Sequence, residues 1–252
     1  MSNVIGAVGT MIAGAKKRRY LLLIEFFDDM QPGDQLAGLD VDACQQVLRS
    51  IAPMHRKYWQ QPELNEHFWL LELDIDARMR QGIFKQHVDS YALVMGPSVA
   101  PHLAWMKEHG EMLMHTLVAE APATLIHCDL RLDNVVFNGD DCAFIDFQLV
   151  RSGPAAYDVA YFVTSALHED ATQAQERAVL EAYFQALDAP DYSFEHFMRD
   201  YHRALLVILA GLSSTEDVDL SNERGQDMMA AWLRRLAARA SAVDLNTLLD
   251  TL

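Results

Sequence analysis

The sequence predicts an α+β chain that is mostly helical, with a small β-hairpin at its centre. Three observations carry this. Apolar residues recur at three- and four-residue spacing over most of the chain, short strand-like pieces gather between 124 and 145, and a turn signal, Asn138-Gly139-Asp140-Asp141, divides the last two pieces. A length of 252 residues supplies one large domain or two small ones with ample material for a core.

The elements follow in chain order. Gly6, Gly9 and Gly14 followed by Lys16 and Lys17 invite comparison with a phosphate loop. Gly9 and Gly14 have the right gap, but Ala15 precedes Lys16 and no Ser or Thr follows to meet magnesium, so the first twenty residues read as an irregular start. Residues 20–27 (YLLLIEFF) form a nearly continuous apolar run suited to a buried strand, and 28–38, with Pro32 and Gly33, read as turn. Asp40 is placed to cap a helix whose apolar positions are Val41, Cys44, Val47, Leu48, Ile51 and Tyr58, with Pro53 a point of bending. Residues 60–80 have no clear period, and helical spacing returns over 84–94 and 100–119.

Strand pieces are expected at 124–126, 135–137 and 142–145. After Gly153-Pro154 the pattern is helical, over 155–168, 171–187, 193–212 and 224–240, with a short tail helix at 243–251. In the late helix Trp232, Leu233, Leu236 and Ala240 make a core stripe, while Arg234, Arg235 and Arg239 read as a solvated basic face.

Charge narrows the partners. Thirty-six acidic against twenty basic side chains give −16, which argues against a footprint for nucleic acid or anionic membrane and leaves a cationic ligand open. Cys44, Cys128 and Cys142 cannot build a disulfide framework or a zinc knuckle, and the ten histidines read mostly as surface or capping residues. The longest apolar run, 204–212, is too short to span a bilayer, and the charges at 16–19 follow the apolar stretch at 4–13 where a secretory signal needs them first. A soluble cytoplasmic protein without membrane or nucleic-acid partners is expected. Gly211-Leu-Ser-Ser-Thr lacks the second glycine of a nucleophile elbow, and His196 and His202 are too far apart for a zinc helix motif.

Chemistry-bearing side chains crowd around the predicted hairpin: His127-Cys128-Asp129-Leu130-Arg131-Leu132-Asp133-Asn134, then Ile145-Asp146-Phe147-Gln148. A chain folding back through 138–141 brings Phe137 near Cys142 or Ala143 and Asn134 opposite Asp146, within one residue of register. An amide oxygen and a carboxylate at that separation can share a hard divalent cation such as magnesium. Asp129, five residues before Asn134, stands where a carboxylate orienting an attacking hydroxyl is needed, and His127 is placed to brace the loop. A metal-dependent phosphoesterase could use the same three residues.

His127-x-Asp129-x4-Asn134 with Ile145-Asp146-Phe147-Gln148 resembles the aminoglycoside phosphotransferase and choline-kinase-like families, small-molecule relatives of the protein kinases. The stretch 126–162, including Gly153-Pro154 and Tyr157-Asp158-Val159-Ala160-Tyr161, looks most like the ecdysteroid-kinase-like branch and its bacterial members. The resemblance implies the C-terminal lobe of a protein-kinase-like fold, using ATP and Mg2+ to phosphorylate a hydroxyl of a small molecule. It implies Asp129 as catalytic base with His127 beside it, Asn134 and Asp146 as magnesium ligands at the nucleotide, Asp158 as support of the catalytic loop, and Glu25-Phe26 as the hinge whose backbone grips adenine.

Two departures stand out. Such families ordinarily carry a first lobe with a glycine-rich loop and a phosphate-binding lysine; here the hinge-like strand starts by about Tyr20, so 1–27 is expected to be a remnant of that lobe and 28–252 the catalytic lobe. A truncated kinase and an impaired kinase-like binding module are both compatible with this, and self-association through the hinge-side surface is expected. Cys128 also stands where the family commonly has glycine, which is tolerable unless the loop needs a positive φ there. The acceptor pocket would draw on Trp59, Trp69, Tyr91, Trp105, Tyr183 and Tyr201, many of which helical spacing also explains as core.

Overall fold

The first long helix, α1 (Val41–Lys57), begins where the sequence puts its cap: the Asp40 carboxylate accepts the Ala43 N–H at 2.9 Å. The computed structural model describes residues 4–10, 19–24, 28–67, 69–73, 89, 95–212 and 223–252, the first two segments by backbone alone. Among the described residues six further helices follow: α2 (Ala100–Glu120), α3 (Ala155–Ala166), α4 (Gln173–Leu187), α5 (Phe194–Leu212), α6 (Glu223–Ala240) and α7 (Leu245–Leu249). Their bounds lie close to those the periodicity predicts. Thr172 and Gln175 close a capping box at the start of α4, satisfying two otherwise orphaned donors. The helix expected at 84–94 and the hinge residues Glu25 and Phe26 lie outside the described residues.

Helix α3 is the hub. Every residue from Ala155 to Ala166 except Tyr161 is buried, because its small and apolar side chains let neighbours close on all faces. Helix α5 packs on α3 and on α2, α6 on α3 and α5, and α1 on α4. Fully buried Leu48, Phe162 and Phe197 each contribute about 1.5–3 kcal/mol by leaving water. Trp232, Leu233, Leu236 and Ala240 are buried as the stripe predicts.

The strands are short and antiparallel. β5 (Val135–Asn138) and β6 (Asp141–Phe144) make the central hairpin, with Phe137 opposite Cys142. Two strands lack a sequence signal: β3 (Gln31–Pro32) adds to the edge of β5, and β7 (Arg151–Pro154) pairs with β4 (Ala123–Ile126). Gly153 permits that second pairing, since a Cβ there would lie 2.9 Å from the Ile126 Cδ1. A further pair corrects the expected irregular start: β1 (Val4–Thr10) pairs with β2 (Arg19–Ile24), so Gly9 sits within a strand. The apolar run from Tyr20 announces β2, and backbone pairing adds β1, which has no side-chain signal of its own.

The basic face of α6 is a second correction. Arg234 is exposed and pairs with Glu169, but Arg235 and Arg239 are buried. Arg235 Nη1 donates to the carbonyls of Gln35 at 2.6 Å and Ser165 at 2.7 Å, and Arg239 Nη2 to those of Leu167 and His168 at 3.1 and 2.9 Å. The carbonyls that end α3 need donors, and two guanidinium forks supply them. The histidines divide as well: His55, His102 and His127 are buried rather than on the surface. Among the described residues no helix is long and apolar enough to cross a membrane.

Candidate active site

The loop from 127 to 134 leaves β4 and enters β5, and it is pinned from below by α3. Asp158, in the first turn of α3 and fully buried, accepts the backbone N–H of His127 at 2.6 Å on Oδ2 and of Cys128 at 2.8 Å on Oδ1. Behind Asp158, His55 Nε2 lies 3.2 Å from Oδ2, and His55 Nδ1 lies 2.7 Å from the Tyr183 hydroxyl. Burial, then the Asp158 charge, push the Tyr183 phenol far above its ordinary range. The Asp158 carboxylate can only accept, so His55 donates from Nε2, and Nδ1 accepts the Tyr183 hydroxyl.

His127 ties this loop to the next one. Its Nε2 lies 2.8 Å from the Ile145 carbonyl, which can only accept, so Nε2 carries the proton and Nδ1 receives the Asp129 N–H at 3.4 Å. Its ring packs on Phe147, with centroids 4.5 Å apart. Asp146, between Ile145 and Phe147, is exposed and left-handed at φ +63°, a conformation that non-glycine residues adopt at a cost.

Asp129 is 9% exposed, and both its oxygens are engaged. Oδ1 accepts the Tyr161 hydroxyl at 3.0 Å. Oδ2 accepts Asn134 Nδ2 at 3.0 Å and lies 3.5 Å from Arg131 Nε. Asn134 Nδ2 also donates to the Asp129 carbonyl at 2.8 Å, so the loop closes on itself. Arg131 reaches on to Asp133 at 3.4 Å and to the Met228 sulfur at 3.9 Å, while Arg224 lies 3.7 Å from the same Asp133 oxygen. The start of α6 is thereby drawn against the loop.

The hairpin register places Asn134 opposite Ile145, whose N–H it accepts at 3.0 Å, with Asp146 one residue further along. The structure thus brings Asp129 and Asn134 into contact, with His127 bracing both loops and Asp146 beside Asn134 in register. The Asn134 amide nitrogen is committed to Asp129, which leaves Oδ1 as the atom that could ligate a cation. Together with the Asp146 carboxylate it would offer two oxygen donors, the chemistry that suits magnesium completed by water and phosphate. Among the described residues no group of three or more His, Cys, Asp or Glu could hold a metal, so this pair would rely on outside ligands.

Sequence reading missed three residues here. His55 lies 103 positions from Asp158 and 128 from Tyr183, a distance that leaves no local pattern. Arg131 and Tyr161 stood within the motifs without an assigned role. Of the aromatics considered for an acceptor pocket, Trp59, Tyr183 and Tyr201 are buried in the core, Trp105 is half-buried against it, Trp69 is exposed and Tyr91 lies outside the described residues.

A family described as the phosphotransferase enzyme family matches residues 10–198. Among solved structures, a choline/ethanolamine kinase family protein from Mesorhizobium loti is 14% identical, the match covering 94% of this chain and 78% of that one with a TM-score of 0.45. An ethanolamine kinase from Plasmodium vivax is also 14% identical, covering 98% and 69% with a TM-score of 0.47. No curated protein matches the chain.

Proposed function

This chain belongs to the phosphotransferase enzyme family, and from that premise we propose that it transfers the γ-phosphate of ATP to a hydroxyl group of a small molecule. The observation that carries the reading is the setting of Asp129: a nearly buried carboxylate with three side-chain partners, on a loop anchored through two backbone N–H groups to Asp158.

In this reading the acceptor hydroxyl donates to Asp129, its oxygen forms a bond to the γ-phosphorus as the bond to the β-bridging oxygen breaks, and the proton passes to Asp129. Asn134 and Asp146 would hold magnesium, which when bound offsets the negative charge of the nucleotide phosphates. Arg131 brings a cation against the base and shares that electrostatic work. His127 keeps the base loop and the Asp146 loop in register through its two ring nitrogens. The acidic surplus of the chain supports an acceptor that carries positive charge.

The test is ATP turnover with and without magnesium against a library of hydroxylated metabolites, with Asp129→Asn and Asp146→Ala alongside. Turnover that needs magnesium and falls by about 10²–10⁴ in Asp129→Asn supports the reading. No turnover with any acceptor, together with nucleotide binding that Asp146→Ala leaves unchanged, would sink it in favour of a binding module.

A further inference from the structure

We propose that Tyr161 is a positioning residue that fixes which oxygen of Asp129 meets the acceptor hydroxyl. The inference rests on the phosphotransferase reading and deepens it.

The argument is one of lone pairs. A carboxylate oxygen offers about two acceptor directions. Oδ2 accepts a hydrogen bond from the Asn134 amide at 3.0 Å and is flanked by the Arg131 guanidinium in an ion pair at 3.5 Å, so its free side is crowded by a cation. Oδ1 faces only the Tyr161 hydroxyl among the described residues, at 3.0 Å. Oδ1 is therefore the less crowded oxygen of this carboxylate, and an acceptor hydroxyl arriving at its second direction lies beside the Tyr161 oxygen.

Tyr161 is built to hold that place. It is the one residue of α3 that is only partly buried; its hydroxyl reaches the loop at Asp129 while its side chain packs against the core. The ring stands edge-on to Trp232, with centroids 5.0 Å apart at 80°, and 5.8 Å from the Tyr157 ring. Trp232 is itself fixed by donating from Nε1 to Thr164 Oγ1 at 3.2 Å. Desolvation and the neighbouring Asp129 charge keep the phenol protonated, so it donates throughout. During transfer the acceptor proton moves to Asp129 Oδ1 as the new oxygen–phosphorus bond forms and the nucleotide oxygen leaves; Tyr161 neither gains nor loses a proton.

An aromatic residue on a central helix serves packing in any case, so the test must separate the ring from its hydroxyl. Tyr161→Phe keeps the ring and removes the O–H; Tyr161→Leu removes both. Steady-state transfer to an acceptor carrying two neighbouring hydroxyls gives kcat, nucleotide KM and the ratio of the two products. We expect Tyr161→Phe to keep its thermal midpoint and nucleotide KM, to lose about 10- to 100-fold in kcat, and to change the product ratio. Tyr161→Leu should show the same kcat loss with a lower midpoint. Unchanged kcat and product ratio in Tyr161→Phe, or a kcat loss confined to Tyr161→Leu, overturns the assignment and leaves a packing residue. If the wild-type chain transfers phosphate to no acceptor, the phosphotransferase reading fails and takes this one with it; an active wild type with an unaffected Phe variant sinks the Tyr161 assignment alone.

Discussion

The carboxylate of Asp158 accepts the backbone N–H of Cys128 at 2.8 Å, and Cys128 stands at φ +66°. A left-handed backbone costs an L-residue roughly 1–2 kcal/mol that glycine does not incur. The cost falls on the residue immediately before Asp129, so the anchorage from α3 holds a strained backbone in the place that orients Asp129.

Cys128→Gly should therefore stabilise the fold. Relief of the strain, less the extra entropy glycine brings to the unfolded chain, leaves about 1 kcal/mol. The thermal midpoint should rise by about 2–4 °C for a chain of this size. Differential scanning calorimetry of the two proteins reads this directly, and a lower midpoint for the glycine variant would contradict it.

Removing the anchor should do the reverse. Asp158→Ala strands the N–H groups of His127 and Cys128 and the Nε2–H of His55 in a buried place. Each stranded donor costs about 1–3 kcal/mol, so a loss of about 3 kcal/mol or more is expected in urea unfolding. Asp158→Asn keeps one acceptor oxygen and should lose visibly less. Equal losses for the two variants would mean that the backbone bonds do not carry the effect.

Much of this arrangement is legible in the sequence, because it is local. Asp40 and the run Cys44, Val47, Leu48, Ile51 announce α1, and Asn138-Gly139-Asp140-Asp141 sets a hairpin register from which Asn134 and Asp146 can be placed to within one residue. What escapes is whatever depends on long-range satisfaction of polar groups. Arg235 and Arg239 have the spacing of a solvated face, and only the carbonyls of Gln35, Ser165, Leu167 and His168 explain their burial. The positive φ of Cys128 follows from Asp158, thirty residues away, rather than from its neighbours. β3 and β7 are short strands recruited by partners, without an alternation of their own.

The buried guanidinium of Arg235 gives a third prediction. It bridges the carbonyls of Gln35, Leu36 and Ser165, joining the segment before α1 to the end of α3. Gly38 permits the approach: it stands at φ +72°, and a Cβ there would lie 2.6 Å from Arg235 Nη2. Arg235→Ala leaves these carbonyls unpaired and opens a void, so a loss of about 3 kcal/mol is expected. Arg234→Ala, one residue away on the exposed side, should cost about 0–1 kcal/mol. Urea unfolding of the pair separates a buried cap from a surface charge, and similar losses for both would refute the distinction.

The last prediction concerns pH and His202 on α5. Burial lowers its pKa below the ordinary 6.5, so the folded state favours the neutral imidazole. The unfolded chain binds the proton first as pH falls. Its contribution to stability is thus complete above about pH 6.5 and is lost progressively from there down to the folded-state pKa, below which it falls no further. His202 lines a cleft together with Leu205, Met198, Glu176 and Arg239. His202→Gln removes this titration, so its stability should decline less than that of the wild type between about pH 7.5 and pH 5. Urea midpoints measured across that window for both proteins decide the matter: converging curves on the acid side fit the buried neutral imidazole, and parallel curves would show that His202 is solvated in both states.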